Sequence, residues 1–153
     1  MKQLIAIAFL CLGLSLVGLA GAQEKKVKMS ELPAPVQKTV KEQGKGITLK
    51  GLSKEVENGK TEYEAEFTVN GHTRDVLIDP DGNVLAVEEE VKLASLPEAV
   101  QKGIKAAAGT GQILKVESIS TNGKLDKYEF VVKNGTKKSE IQVDTDGKRL
   151  EKH

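Results

Sequence analysis

The chain has 153 residues, a formal net charge of +1, 3% aromatic residues, one cysteine and no tryptophan. The near balance of charge excludes the basic excess that steers proteins to nucleic acid. A single cysteine excludes an internal disulfide and a thiolate-rich metal site. With so few aromatic side chains, we expect a modest, mostly aliphatic core.

Residues 1–22 predict a secretory signal peptide. Lys2 precedes an apolar run from Leu4 to Leu19, and small residues end the segment at Ala22. The run is shorter than the ~20 residues that span a bilayer, and the small residues are typical of a cleavage site. Cleavage after Ala22 would remove Cys11. We therefore predict a periplasmic or secreted protein without a stable membrane anchor.

The remainder of the chain contains an internal repeat, which indicates a duplicated structural unit. Three segments occur twice in the same order: "LPAPVQK" at Leu32 and "LPEAVQK" at Leu96, "NGK" at Asn58 and Asn122, and "DPDG" at Asp79 and "DTDG" at Asp144. The repeat predicts two units, residues 27–90 and residues 91–153.

Each unit is predicted to begin with a helix. Leu32, Val36 and Val40 lie four residues apart, which places them along one stripe of a helix. Pro33 suits the first helical turn, where a missing N–H costs nothing, and Gly44 supplies a stop. The second unit shows the same pattern, with the stripe Leu96, Val100 and Ile104, Pro97 in the first turn and Gly109 at the helix end. Ser95 and Glu98 add the spacing of a capping box.

Strands are predicted after each helix because the apolar period changes to two. Tyr63, Ala65 and Phe67 alternate with acidic residues, and Tyr128 and Phe130 alternate with charged residues. Such alternation is typical of an antiparallel sheet with one covered face, and the Asn-Gly pairs indicate hairpin turns. The predicted fold class is α+β, with two tandem α-β-β-β-β units. Each unit is expected to be an antiparallel sheet covered on one face by a helix, the two packed as one compact pair.

The polar, solvent-facing side of these strands is the candidate partner-binding surface. Its charged residues are Glu62, Glu64 and Glu66 in the first unit, and Lys127, Glu129 and Lys133 in the second. A solvated surface that diverged by drift explains the same pattern. Catalysis by these carboxylates would require one with a raised pKa in a pocket. The run Glu88-Glu89-Glu90 is interpreted as solvated charge.

The "DPDGN" segment is the one candidate cation site. Asp79, Asp81 and Asn83 alternate oxygen ligands as calcium loops do, although Gly82 comes too early for an EF-hand. The second copy has Lys148 in place of the asparagine. A tight turn explains the motif better, so no metal or other cofactor is predicted. No nucleophile–base or metal constellation indicates an enzyme.

Together, "LPxxVQKxxK", "NGKxxYE" and a strand leading into "DxDG" resemble the PepSY-like domains, a β-lactamase-inhibitor-like family. The residues that carry the resemblance are Leu32, Pro33, Val36, Tyr63, Asp79 and Gly82, and then Leu96, Pro97, Val100, Tyr128, Asp144 and Gly147. The resemblance implies exported bacterial proteins with single or tandem α+β units, associated with peptidase propeptides and with binding or inhibiting enzymes. The tandem β-lactamase inhibitors add disulfides and an aromatic-rich concave sheet face, which this composition does not provide.

The predicted function is a non-enzymatic, exported module that binds a protein or peptide of the envelope or the extracellular space. An inhibitor or modulator of an envelope enzyme, such as a peptidase, is the form that the resemblance implies. A periplasmic protein that binds a small ligand or calcium is the alternative.

Overall fold

The computed structural model describes residues 24–57 and 59–151. The predicted signal peptide with Cys11, and Asn58 of the first "NGK" segment, lie outside the described residues. Within the described part of the chain, no helix is both long and apolar enough to cross a membrane.

The described elements follow the predicted order of one helix and four strands in each repeat. They are β1 (Lys25–Lys26), α1 (Ala34–Gln43), β2 (Thr48–Glu57), β3 (Lys60–Val69), β4 (His72–Ile78), β5 (Val84–Glu90), α2 (Glu98–Ala108), β6 (Gln112–Thr121), β7 (Lys124–Asn134), β8 (Lys137–Asp144) and β9 (Arg149–Leu150). The α+β class is confirmed. The short strand β1 and two 3₁₀ turns, Met29–Glu31 and Leu93–Ser95, were not predicted.

All strands of the described chain belong to one antiparallel sheet in sequence order, from β1 to β9. The two repeats meet where β5 pairs with β6, with Glu88 opposite Ile119 and Glu90 opposite Glu117. Each face of the sheet is therefore a continuous surface that runs from one repeat to the other.

Both helices cover the same face of this sheet. Val76 lies opposite Val87, and Val87 lies opposite Ser120. Ser120 shares its face with Val116, because alternate residues of a strand point to the same side. The α1 core consists of Leu32, Val36, Val40, Tyr63, Ala65, Phe67, Val76 and Ile78. The α2 core consists of Leu96, Val100, Ile104, Ala108, Val116, Tyr128, Phe130, Val132 and Val143.

The repeated glutamine of "LPxxVQK" closes the turn that leads into each helix. Gln37 Nε2 donates to the carbonyl oxygen of Leu32 at 3.0 Å, and Gln101 Nε2 donates to that of Leu96 at 2.9 Å. Leu32 and Leu96 precede the N-cap prolines of the two helices, so each glutamine side chain ties its helix to the segment before it. The repeated "LPxxVQK" motif therefore has a structural role, which is to start each helix.

The predicted capping box at the start of α2 is wrong. Pro97 is the N-cap residue, so Ser95 lies two positions too early to cap the helix. The Ser95 hydroxyl instead donates to the carbonyl oxygen of Lys92 at 2.7 Å within the 3₁₀ turn. The predicted helix ends are confirmed, since Gly44 and Gly109 are the C-cap residues.

The "DxDG" turns pack against the helix starts. Gly82 has φ +86°, and a Cβ there would lie 2.8 Å from the carbonyl oxygen of Pro35 in α1. Thr39 Oγ1 also donates to the carbonyl oxygen of Gly82 at 2.6 Å. Gly147 has φ +84°, and a Cβ there would lie even closer to the carbonyl oxygen of Ala99 in α2. Glycine is thus required both for the left-handed backbone and for the close approach.

Candidate binding face

The open face is the sheet surface opposite α1 and α2, and no helix of the described chain packs on it. All six charged residues proposed from the sequence lie on this face, because each alternates with a residue of the helix-covered core. They do not form one cluster. Those on β3 and those on β7 are four strand spacings apart, about 19 Å.

The accessibility of these six residues differs. Glu66 and Lys133 are exposed, and Glu62, Glu64 and Lys127 are half-buried.

Glu129 is an exception, because only 3% of its surface is exposed. Gln142 Nε2 donates to Glu129 Oε2 at 2.8 Å, and Lys127 Nζ donates to Gln142 Oε1 at 3.0 Å. Glu129 is therefore part of an internal network and does not offer its carboxylate to a partner at the surface.

Three buried carboxyl groups occupy the middle of the open face, and sequence reasoning missed them. This acidic cluster consists of Asp75 on β4, Glu88 on β5 and Glu117 on β6, which are 4%, 1% and 3% exposed. Oxygen atoms from the three side chains lie within 4.8 Å of one another. The interpretation of Glu88 as solvated charge is wrong.

The register of the strands explains the cluster. Asp75 lies directly opposite Glu88 across β4 and β5. Glu117 is diagonal to Glu88, whose direct partner on β6 is Ile119. Glu89 points to the other face, where its Oε1 lies 3.3 Å from Arg74 Nε. Alternation within the run of three glutamates was the signal that could have separated Glu88 from Glu89.

Burial is the main cause that raises the pKa of Glu88 to about 9, and the charges of Glu117, Glu129, Asp75 and Glu64 contribute to the same shift in that order. An ionised carboxylate is disfavoured where water cannot solvate it and other carboxylates repel it. Glu88 is therefore a proton-binding group at neutral pH when nothing else neutralises it.

Two neighbouring carboxyl groups shift in the same direction. Burial raises the pKa of Asp75 to about 6, although Lys115 opposes the shift. Burial also raises the pKa of Glu64 to about 7, and the charge of Asp75 adds to the effect.

The acidic cluster has fewer partners than its burial requires. Asp75 Oδ1 and Glu88 Oε1 are buried and accept no hydrogen bond within the described structure. Glu117 Oε1 lies 2.6 Å from Lys115 Nζ. Buried polar atoms are normally satisfied, so two orphaned oxygens in one cluster require an explanation.

A depression of about 140 Å³ lies beside the acidic cluster, near one edge of the open face. It forms where Gly51 has no side chain opposite Glu66. Lys26 and Lys50 line it together with Glu64 and Glu66. The depression can admit a protruding polar side chain and offers it both signs of charge.

Asp79, one of the three candidate calcium ligands in "DPDGN", uses both of its carboxylate oxygens within its own turn. Asp79 Oδ1 accepts from the backbone N–H groups of Asp81 at 2.9 Å and Asn83 at 2.8 Å, and Asp79 Oδ2 accepts from Asn83 Nδ2 at 2.9 Å. Slight burial raises the pKa of Asp79, but these hydrogen bonds outweigh it and the net shift is downward. The second copy repeats the turn without the asparagine, since Asp144 Oδ1 accepts from the N–H of Lys148 at 2.8 Å.

Several solved structures share this fold. A candidate periplasmic protein from Bacteroides eggerthii has a TM-score of 0.63 and 20% identity, with 78% of this chain and 86% of that chain covered. A protein from Bacteroides ovatus has a TM-score of 0.60 and 20% identity over 78% and 85% of the two chains. A BLIP-like protein from Bacteroides fragilis has a TM-score of 0.59 and 20% identity over 80% and 85%. No match is found among curated proteins.

A family model matches the chain twice, over residues 20–86 and 61–151, and together the two matches include every described strand and helix. The family is described as beta-lactamase-inhibitor-like, PepSY-like. The resemblance carried by the repeated motifs is thus confirmed, and this chain belongs to the PepSY-like family.

Proposed function

We propose that this protein is an exported, non-enzymatic module that binds a protein or peptide on its open face. The observation that carries the proposal is the continuity of that face. One sheet runs through both repeats, and the helices of the described chain all pack on the other side.

The size of the open face suits a macromolecular partner. At about 3.3 Å per residue along a strand and about 4.8 Å between strands, the described strands give the open face an area of roughly 1,000 Å². A stable protein interface uses about 800 Å² on each partner. The face is large enough for such an interface even if its edges are left out.

The distribution of charge favours an extended partner over a small molecule. On β3 the half-buried Glu62 and the exposed Glu66 are acidic, whereas on β7 the half-buried Lys127 and the exposed Lys133 are cationic. A ligand that meets both groups must span about 19 Å, beyond the reach of most small molecules. We infer a partner with basic groups toward β3 and acidic groups toward β7. Charge complementarity of this kind steers association and sets orientation.

The proposed location is the periplasm or the extracellular space. The predicted signal peptide and the candidate periplasmic protein from Bacteroides eggerthii support this location. The proposed partner class is an envelope enzyme, a peptidase for example, that the module inhibits or modulates. The family description and the BLIP-like protein from Bacteroides fragilis support that class.

Neutralising three charges of the open face should strongly reduce capture of the partner. The test variant combines Glu62→Gln, Glu66→Gln and Lys133→Gln. The immobilised protein is exposed to envelope extract of the producing organism, and bound proteins are quantified by mass spectrometry. We expect a specific partner to be at least about tenfold depleted with this variant, since several interface charges lose their complements together.

A matched control removes the same charges from the helix side, with Glu42→Gln, Glu98→Gln and Lys38→Gln. Their side chains are 53%, 80% and 77% exposed. The control should capture the partner as the unchanged protein does. Equal recovery by all three proteins, or loss only with the helix-side control, would reject the open face as the binding surface.

A further inference from the structure

We propose that Asp75, Glu88 and Glu117 form a binding site for one hard divalent cation, with calcium as the probe. Their oxygens lie within 4.8 Å of one another. Calcium–oxygen distances are about 2.3–2.6 Å, so oxygens at this separation can be bridged by a single ion. The three side chains come from adjacent strands of a continuous sheet, which fixes their backbone positions.

The orphaned oxygens are the independent sign that a ligand is missing. Asp75 Oδ1 and Glu88 Oε1 accept no hydrogen bond within the described structure, and both side chains are more than nine-tenths buried. A cation placed between the carboxyl groups would satisfy both oxygens at once. Burying them without a partner would cost each the desolvation free energy of a polar group.

The charge of the cluster matches a divalent ion. Three ionised carboxylates carry three negative charges. Lys115 contributes one positive charge, and its Nζ lies 2.6 Å from Glu117 Oε1. Two negative charges remain, and a divalent cation neutralises them. Buried charge that is not neutralised is strongly unfavourable.

The ligand chemistry selects the class of ion. All donors are carboxylate oxygens, with no imidazole or thiolate in the cluster. Hard cations such as calcium and magnesium prefer such donors, whereas zinc sites are usually built with histidine or cysteine. Carboxylates can bind in bidentate fashion, so three of them supply up to six oxygens. That number falls within the coordination range of calcium.

The site would tie the two repeats together. Asp75 and Glu88 belong to strands of the first repeat, whereas Glu117 belongs to the first strand of the second. A bound ion would therefore bridge the β5–β6 junction on the open face. Its site is distinct from the "DPDGN" turn, where Asp79 already holds its own loop.

The test titrates calcium chloride, and in a second series magnesium chloride, into chelator-treated protein at about pH 7.5 by isothermal titration calorimetry. We expect one ion per chain with a Kd below about 1 mM for at least one of the two ions. Saturation should raise the thermal midpoint by about 5–10 °C, because the ion binds only the folded state.

Two variants locate the site. Glu88→Gln should weaken binding at least about tenfold and remove the thermal shift, because it deletes one charged ligand. Asp81→Asn, in the rival "DPDGN" turn, should leave both unchanged. Circular dichroism confirms that each variant is folded. If neither ion produces binding heat or a thermal shift, the proposal is overturned, and protons shared between the carboxyl groups would explain the orphaned oxygens. Binding that survives Glu88→Gln but not Asp81→Asn would also overturn it.

Discussion

Replacing Glu88 with glutamine should raise the free energy of unfolding by roughly 2–4 kcal/mol at about pH 8 in the presence of a chelator. The carboxyl group of Glu88 is 1% exposed, and burial raises its pKa from 4.5 to about 9. In the unfolded chain it ionises near 4.5. Folding at pH 8 must therefore either take up a proton or bury a charge, and a neutral amide avoids both costs.

The sign of the pH dependence follows from the same shift. Between about pH 4.5 and 9, the folded protein holds a proton on Glu88 that the unfolded chain has lost. The contribution of the protonated Glu88 to the free energy of unfolding is therefore fully present below pH 4.5 and is lost as the pH rises toward 9. The advantage of Glu88→Gln should thus shrink toward zero near pH 4.5. Asp75 and Glu64, whose pKa values are raised to about 6 and about 7, should leave a weaker slope in the variant.

Urea denaturation at several pH values, with chelator present throughout, measures this effect. Glu98→Gln is the control, because its carboxylate on α2 is 80% exposed and its ion pair with Lys102 is solvated. It should change stability by less than about 0.5 kcal/mol at any pH. A Glu88→Gln variant that is less stable than the unchanged protein at pH 8 would show that the carboxylate is well accommodated without a cation.

Truncating a core phenylalanine should cost about 3–5 kcal/mol in either repeat. Phe130 in the α2 core is 1% exposed, and Phe67 in the α1 core is fully buried. Domains of this size are stable by only about 5–15 kcal/mol, so each loss is a large fraction of the total. Because β5 pairs with β6, we expect Phe67→Ala and Phe130→Ala each to lower the midpoint of one shared unfolding transition.

Far-UV circular dichroism and tyrosine fluorescence during urea denaturation provide the measurement, and coincident curves indicate a single transition. Leu125→Ala is the control, because Leu125 is 46% exposed and should change stability by less than about 0.5 kcal/mol. Two separate transitions, each shifted by only one of the phenylalanine variants, would mean that the repeats unfold independently despite the shared sheet.

Local patterns were sufficient to predict both helices and the four strands that follow each of them, although not the short strand β1 or the 3₁₀ turns. The four-residue spacing of Val36 and Val40 identified α1, and the two-residue spacing of Tyr63, Ala65 and Phe67 identified β3 and its covered face. The reason is physical: helix and strand periods are properties of a short segment and need no knowledge of its neighbours.

The acidic cluster could not be predicted in the same way. Glu88 and Glu117 are brought together by the pairing of β5 with β6, which depends on how the two repeats join. Glu129 appeared equivalent to Glu64 by alternation, yet its burial depends on Gln142 of the neighbouring strand. Burial on a sheet face is a property of adjacent strands, and a single strand's sequence does not contain it.

Site-specific photo-crosslinking in the producing organism tests most directly whether the open face binds a partner. A photoreactive residue replaces Glu66 or Lys133 on the open face, or Lys102 on the outer surface of α2, where the lysine side chain is 74% exposed. We expect both open-face positions to form an adduct with the same envelope protein and the helix position to form none. Adducts with that protein from Lys102 alone, or none from either open-face position, would contradict the proposed function.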